Sequence, residues 1–447
     1  MSDRDLSTPE LDKLRDKCRD AALDKGSHVL ILSSPAPEST LPSALLGRSI
    51  MKSGGIFHIT FTEPVLNIEA LGAVIKAHSR RVPIVIGIDI VGNQVTELGE
   101  NTPILLGGSL DQRCSSYPHL GLGKGVSIAA YALAQEKLDV GPEELFLAAA
   151  GSLLENSSIN EADRQSRSLV KLALESGVLE EERGFRIFGV SFLPLTETLS
   201  NSISPYLPGV SGVPESCEAL LDDADIAPQK RDAPIALLAS EEKKRLTERL
   251  VPKLGKSVIR RLLGLDFETG LEPVDGPLRR VSGVQALAEA AWCRQDLGTA
   301  QALWIGDRAR MLRSALDSYR VHCRGVISGV QHLVLAQKNR EVENVSSHLL
   351  AVPLIEARSE TLSDVGRIAF ESGYVDQDVL LVLYKDDCAG VIWYFDSMSL
   401  SKVILALTSA GLAVTSTSAR SVLVSLSSKE DRIALFGMLD KLVKAGD

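Results

Sequence analysis

Four stretches of this sequence carry the ionisable residues best placed for chemistry. Reading the short apolar runs as strands puts residues 33–40, 62–67, 89–93 and 107–112 just beyond strand ends. In an open parallel sheet, ligands bind there. The ionisable side chains in these loops are Glu38, Glu63, Asp89 and Asp111. Carboxylates at strand ends are the raw material of a two-metal phosphoester-cleaving centre. Such a centre holds its ions about 3.5–4 Å apart with a dense set of carboxylates and imidazoles, and no histidine lies in any of the four loops.

Other sources of chemistry are thin. The seven histidines (28, 58, 78, 119, 322, 332 and 348) form no HxxxH or HExxH pair, and the six cysteines form no CxxC pair. Zinc-site spacing is therefore absent. Gly107-Gly108-Ser109 and Gly121-Leu122-Gly123-Lys124-Gly125 resemble phosphate-cradling loops, but neither has the GxxxxGK[ST] spacing. Turn geometry explains their glycines. No GxSxG elbow presents a nucleophilic serine.

The elements that would position these loops alternate. Leu11, Leu14, Cys18, Ala21 and Ala22 follow Thr8-Pro9 at helical spacing. Strands are expected at 28–33 (HVLILS), 56–61, 83–89 and 103–106, with helices at 43–52, 67–78, 125–136, 142–150 and 161–176. That alternation indicates an α/β fold with a parallel, doubly wound sheet. From 191 to 234 prolines and glycines interrupt the pattern. The stretch 241–263 reads as one helix, and residues 229–261 hold ten basic against four acidic side chains. The bland reading of that run is a solvated helix face. The sharper one is a nucleic-acid contact through Lys243, Lys244, Arg245, Arg249, Arg260 and Arg261. A helix at 283–293 and a long one at 309–338 precede strands at 349–355, 379–385, 390–396 and 421–426, with helices at 398–410 and 429–444.

Composition bounds the function. The 447 residues suggest two to four domains at about 150 residues each. A net charge of -10 argues against coating nucleic acid with the whole surface, and 4% aromatics is thin for a base-stacking platform. No run of about 18 apolar residues could span a bilayer. The charged first residues lack a secretory apolar core, and scattered cysteines suit a reducing compartment, so the expected location is cytoplasmic.

The order of segments resembles the DHH phosphoesterase superfamily, specifically its archaeal RecJ-like proteins. The segment 187–226 (IFGVSFLPLTETLSNSISPYLPGVSGVPESCEALLDDADI) carries the resemblance most strongly. Residues 277–316 with Gly306-Asp307, Tyr117-Pro118-His119 with Gly121, and Ser127-Ile128-Ala129-Ala130 also match. The resemblance implies a DHH-like α/β domain at 1–190 and a mainly helical insertion at 191–275. It also implies the remainder of the first domain with a long linking helix at 276–345, and a smaller C-terminal α/β domain at 346–447.

The family's metal motifs depart from this pattern. The Asp-x-Asp-Gly motif would fall within PAPEST at 35–40, and the Asp-His-His triplet at Leu106-Gly107-Gly108. Asp89 and Glu155 stand at the second and fourth motif positions as vestigial metal-site residues. AAWCR at 290–294 replaces Asn-Ala-x-Gly-Arg, and AVTSTSAR at 413–420 replaces the glycine-rich substrate loop. The resemblance thus implies a catalytically silent member that needs no cofactor. Such a member serves DNA replication as part of a CMG-like helicase with the GINS complex and the MCM ring, and is nucleoid-associated. Leu193, Leu195, Leu199, Tyr206 and Leu207 are then candidates for a partner face, unless this protein's own core buries them. The enzyme-class alternative is a manganese- or magnesium-dependent single-strand exonuclease or phosphoesterase with relocated ligands, using Glu38, Asp89, Asp111 and Glu155. A third reading is a regulatory partner of an active RecJ-type nuclease.

Overall fold

The computed structural model describes residues 8–92, 102–114, 119–122, 125–155 and 164–444. The chain divides into two compact units. The first comprises residues 1–181, 267–271 and 296–313, and the second comprises 182–266, 272–295 and 314–447.

In the first unit, α1 (Pro9–Cys18) is capped by the Thr8 hydroxyl, which accepts from the Leu11 amide. β1 (His28–Ser33), α2 (Pro37–Lys52), β2 (Ile56–Phe61), β3 (Val65–Asn67), α3 (Ile68–Ala77), β4 (Val82–Ile86), β5 (Asp89–Val91), β6 (Ile104–Leu106) and β7 (Leu120–Gly121) follow. Three helices close the run: α4 (Val126–Lys137), α5 (Pro142–Glu155) and α6 (Arg164–Glu175). The main sheet is parallel in the order β2-β1-β4-β6-β7, so the expected parallel sheet is present. β3 and β5 form a separate parallel pair instead of continuing it. On one face Leu30, Leu32 and Val85 pack against Ile68, Leu71 and Ile75 of α3. The helix expected at 43–52 begins at Pro37 and carries Pro42 inside it. An interior proline ordinarily ends a helix, which is why the sequence reads as a loop there. α2 is kept helical by burial of nearly its whole circumference, including Leu41, Ala44, Leu45 and Ile50.

The second unit begins with most of β8 (Glu180–Phe185), then α7 (Leu195–Ser200) and α8 (Pro214–Asp223). The helix expected over 241–263 is two: α9 (Ser240–Leu250) and α10 (Lys256–Leu262), followed at once by β9 (Leu263–Glu268). Pro252 causes the break by lacking an N–H, and Gly255, in extended backbone, is the N-cap of α10. α11 (Val281–Cys293) follows, then α12 (Leu297–Ile305), which belongs to the first unit. α13 (Arg310–Asn339) is the long helix, with its first residues in the first unit and the rest in the second. The remaining elements are β10 (Glu343–Ser346), β11 (Leu349–Pro353), α14 (Leu362–Glu371), β12 (Leu380–Tyr384), β13 (Cys388–Ile392), α15 (Leu400–Ser409), β14 (Val414–Ser418), β15 (Ser421–Ser425) and α16 (Lys429–Lys444). The five later strands and β10 make one mixed sheet in the order β10-β11-β12-β13-β15-β14. Both the 191–275 segment, apart from residues 267–271, and residues from 346 onward lie in the second unit. Among the described residues, no helix is long and apolar enough to cross a membrane.

Candidate functional site

The strand ends of the first unit are built from hydroxyls where the resemblance implies carboxylates. Ser33, Ser39, Thr40 and Ser43 are all buried around the start of α2. The Ser43 hydroxyl lies 2.8 Å from Ser33 Oγ and 2.7 Å from the Ser39 carbonyl. The Thr40 hydroxyl donates to the Pro37 carbonyl at 3.2 Å. Glu38 sits in the first turn of the helix, part-exposed. At the third motif position, Gly107 and Gly108 have φ of +63° and +70°. A Cβ on Gly108 would stand 2.2 Å from the Ile88 carbonyl oxygen, so only glycine passes there. This is a tight turn, as its composition implies.

Asp89 and Glu155 each accept a hydrogen bond from a backbone amide. Asp89 Oδ1 accepts from the Ser109 amide at 2.8 Å and from the Ser109 hydroxyl at 2.7 Å. Glu155 Oε1 accepts from the Ser127 amide at 2.8 Å, in the first turn of α4. An anionic group there satisfies an orphan N–H and complements the helix dipole. Manganese and magnesium need several charged oxygens. The residues present do not fit them: mutually bonded hydroxyls occupy the first motif position, and Asp89 and Glu155 accept backbone N–H groups. Asp111 and Glu63 are part-exposed, and His119 precedes β7. Asn93, Tyr117, Pro118, Gly123 and Lys124 lie outside the described residues.

Two sequence expectations are corrected in the second unit. Leu193, Leu195, Leu199, Tyr206 and Leu207 do not form a partner face, because each is buried, with relative exposures of 9, 0, 0, 6 and 0%. Leu195, Leu199 and Leu207 belong to the unit's own core with Phe185, Ile187 and Leu246. The six basic residues do not make one open basic face either. Arg245 donates to the carbonyls of Ala224 and Asp225 at 2.9 and 3.1 Å, and Arg249 to that of Asp223 at 3.0 Å. These carbonyls end α8, where a helix leaves acceptors unpaired. Lys243 Nζ donates to the Ala236 carbonyl at 2.8 Å. Arg261 is ion-paired with Glu371 and donates to Ser204 Oγ at 3.2 Å. Burial, with Arg367 nearby, lowers its pKa to about 10. Lys244, Arg249 and Arg260 are exposed.

A polar cluster that sequence reading missed lies buried in this unit. His322 Nε2 is 2.8 Å from Asp364 Oδ2. Arg367 donates to Asp364 Oδ1 through Nε at 2.9 Å and Nη2 at 2.7 Å, and through Nη1 to Glu371 at 2.9 Å. Cys293 Sγ is 3.6 Å from Asp364 Oδ2. Burial alone would raise the Asp364 carboxyl, but the Arg367 guanidinium and the His322 hydrogen bond outweigh it and hold the carboxyl well below the usual range. Burial pushes the Cys293 thiol well above its ordinary value. Among the described residues, Cys293, His322 and Asp364 are the one group whose donor atoms converge as metal ligands would, within 4.8 Å. Their chemistry is that of a salt-bridged polar core. Arg367 already supplies the countercharge, His322 and Asp364 bond each other, and the thiol stays protonated. The available signal was helical spacing: Tyr319, His322, Cys323, Val326 and Ile327 share the buried stripe of α13.

The two remaining departures from the family pattern meet in space. AAWCR ends α11, and AVTSTSAR is β14 with the turn into β15. The buried Trp292 indole donates to the Ser416 carbonyl at 3.0 Å, and Cys293 Sγ donates to that of Thr417 at 3.3 Å. Gln295 Nε2 also reaches the Ser416 carbonyl, at 2.9 Å. Where the resemblance implies a substrate loop, the chain has a strand edge sealed by its own helix.

This architecture is an α/β fold that a solved structure shares along nearly its whole length. The chain is similar to CDC45 from Entamoeba histolytica, with a TM-score of 0.66 and 11% identity, over 97% of this chain and 97% of that one. Weaker likenesses include an exonuclease RecJ bound to manganese (TM-score 0.46, 12% identity, 98% and 95% coverage). Another is RecJ in complex with manganese from Thermus thermophilus (TM-score 0.44, 12% identity, 98% of this chain and 54% of that one). At such identities the likeness is one of fold. No family model and no curated protein matches the sequence.

Proposed function

We propose that this protein is a non-catalytic RecJ-like scaffold of DNA replication that binds the GINS complex and the MCM helicase in a CMG-like assembly. The observation that carries the reading is the end-to-end similarity to CDC45, which spans 97% of both chains. The chemistry of the strand ends supports it. Neutral hydroxyls fill the first metal motif, Asp89 and Glu155 brace backbone amides, and Trp292 seals the strand that stands for the substrate loop. A chain that keeps the fold and spends its site residues on packing acts by binding. The reading locates the protein in the cytoplasm at the nucleoid and gives it no cofactor. Lys244, Arg249 and Arg260, exposed on α9 and α10, are the residues through which it would touch single-stranded DNA. Size-exclusion chromatography with light scattering on the chain mixed with GINS from the same cell tests the proposal. A co-eluting complex of defined mass at micromolar concentration is expected, and two independent peaks would overturn it.

A further inference from the structure

Sheet edges invite strand addition unless they are shortened, bulged, charged or covered. Three of the four edges of the two large sheets are protected in these ways. β7 is only two residues long. β10 carries a register irregularity between Asn344 and Ser346 and begins with Glu343. β14 is irregular between Ser416 and Ser418, and its Ser416 and Thr417 carbonyls accept from α11 and Gln295.

β2 is different. It is six residues long, IFHITF, without proline, lysine or acid, and its register against β1 is unbroken. Among the described residues it hydrogen-bonds no strand except β1. Ile56 is 61% exposed, and His58 is exposed as well. The Ile56 and Thr62 amides donate to Ser27 and Ser33, on the β1 side. Backbone groups alternate between the two edges of a strand, so Phe57, Ile59 and Phe61 direct their N–H and C=O groups outward.

At the C-terminal end of α3 the charge beside this edge has one sign. The ring of His58 lies 6.3 Å from that of His78, which sets the C-terminal end of α3 next to the middle of β2. From residue 70 to 82 the ionisable side chains there are Lys76, His78, Arg80 and Arg81, with no acid, and Lys76 and Arg80 are exposed. A second copy would bring the same positive charge to the same place, and like charges oppose that pairing.

We propose that the outer edge of β2 is a docking site that takes an extended, acidic segment of a partner protein as an added strand. Main-chain hydrogen bonds from Phe57, Ile59 and Phe61 supply the register, and the basic end of α3 selects the charge. This goes beyond the replication reading and is tested without any replication protein.

The test uses the full chain, immobilised and panned against a display library of random twelve-residue peptides. Selected peptides are expected to alternate β-branched and acidic residues. Two substitutions separate backbone from side chain. Ile59→Pro removes one outward N–H and spares the bonds to β1, whereas Ile59→Ala removes the side chain and keeps the N–H. In fluorescence anisotropy the proline variant should bind at least tenfold more weakly than the alanine variant. Arg80→Glu combined with Arg81→Glu should weaken binding at least fivefold. If Ile59→Pro fails to fold, Ile56→Glu, which sets a negative charge at the exposed end of the strand, should also weaken binding at least fivefold. Failure to select any peptide, equal binding by the proline and alanine variants, or selection of basic peptides would overturn the proposal. So would a dimer in light scattering that Ile56→Lys dissolves, because that result assigns the edge to a second copy.

Discussion

Asp364→Asn tests whether the buried cluster is a charge-compensated core. Asp364 is 6% exposed and takes two hydrogen bonds from Arg367 and one from His322. The asparagine is nearly isosteric, so the cavity term is small. What it removes is the negative charge facing a largely buried guanidinium, leaving Glu371 as the carboxylate hydrogen-bonded to it. Breaking a buried pair by neutralising one partner costs about 3–5 kcal/mol. For a unit of this size, about 2–4 °C is lost per kcal/mol, giving a melting temperature lowered by about 6–20 °C. Urea denaturation followed by circular dichroism and tryptophan fluorescence reads the change. The pH dependence supplies a second, independent sign. The folded-state carboxyl is held below its ordinary value, so its contribution is complete above the unfolded pKa of about 3.9 and is lost as pH falls toward the folded value. The gap between wild type and Asp364→Asn should therefore be widest near neutrality and narrow below about pH 4. A loss under about 1 kcal/mol, or a gap independent of pH down to acid unfolding, would refute the reasoning.

Two further outcomes concern the second unit, and two the motif positions of the first. Trp292→Ala should destabilise the second unit by about 3–5 kcal/mol in the same denaturation assay, because it empties a buried indole site and removes one of the two side-chain donors to the Ser416 carbonyl. Leu199→Ala should cost about 2–5 kcal/mol of stability, while the affinity of the folded fraction for GINS stays unchanged in calorimetry, since Leu199 is wholly buried. Glu155→Ala should lower stability by about 1 kcal/mol through loss of the α4 cap. Millimolar manganese should leave the wild-type melting temperature within about 1 °C, whereas a site occupied at a hundredfold excess over its Kd would add about 2.7 kcal/mol.

The strands of the first unit were legible because a continuous apolar run such as HVLILS has few other uses, and β1 forms where that run predicts. Proline was the chief source of misreading. In α2 burial overrides it, while in the stretch read as one helix Pro252 ends α9 as its chemistry demands. The leucines at 195, 199 and 207 carry no readable period among prolines and glycines, so sequence could not distinguish a partner face from the core they occupy. Counting charge over 229–261 missed that Arg245, Arg249 and Arg261 each meet a specific acceptor. The Cys293–His322–Asp364 cluster joins three distant elements, and no local spacing announces it. Motif departures at 290–294 and 413–420 were visible separately, and only the fold shows that they meet.

The most direct test of the central claim, that the fold persists while the chemistry has gone, is a cleavage assay. The full chain would be incubated with end-labelled single-stranded DNA and manganese, and the products resolved by length. No shortening above the metal-free background is expected at micromolar protein over hours. Manganese-dependent, stepwise shortening that Asp89→Asn abolishes would contradict the claim, and would restore Glu38, Asp89, Asp111 and Glu155 as a working metal site.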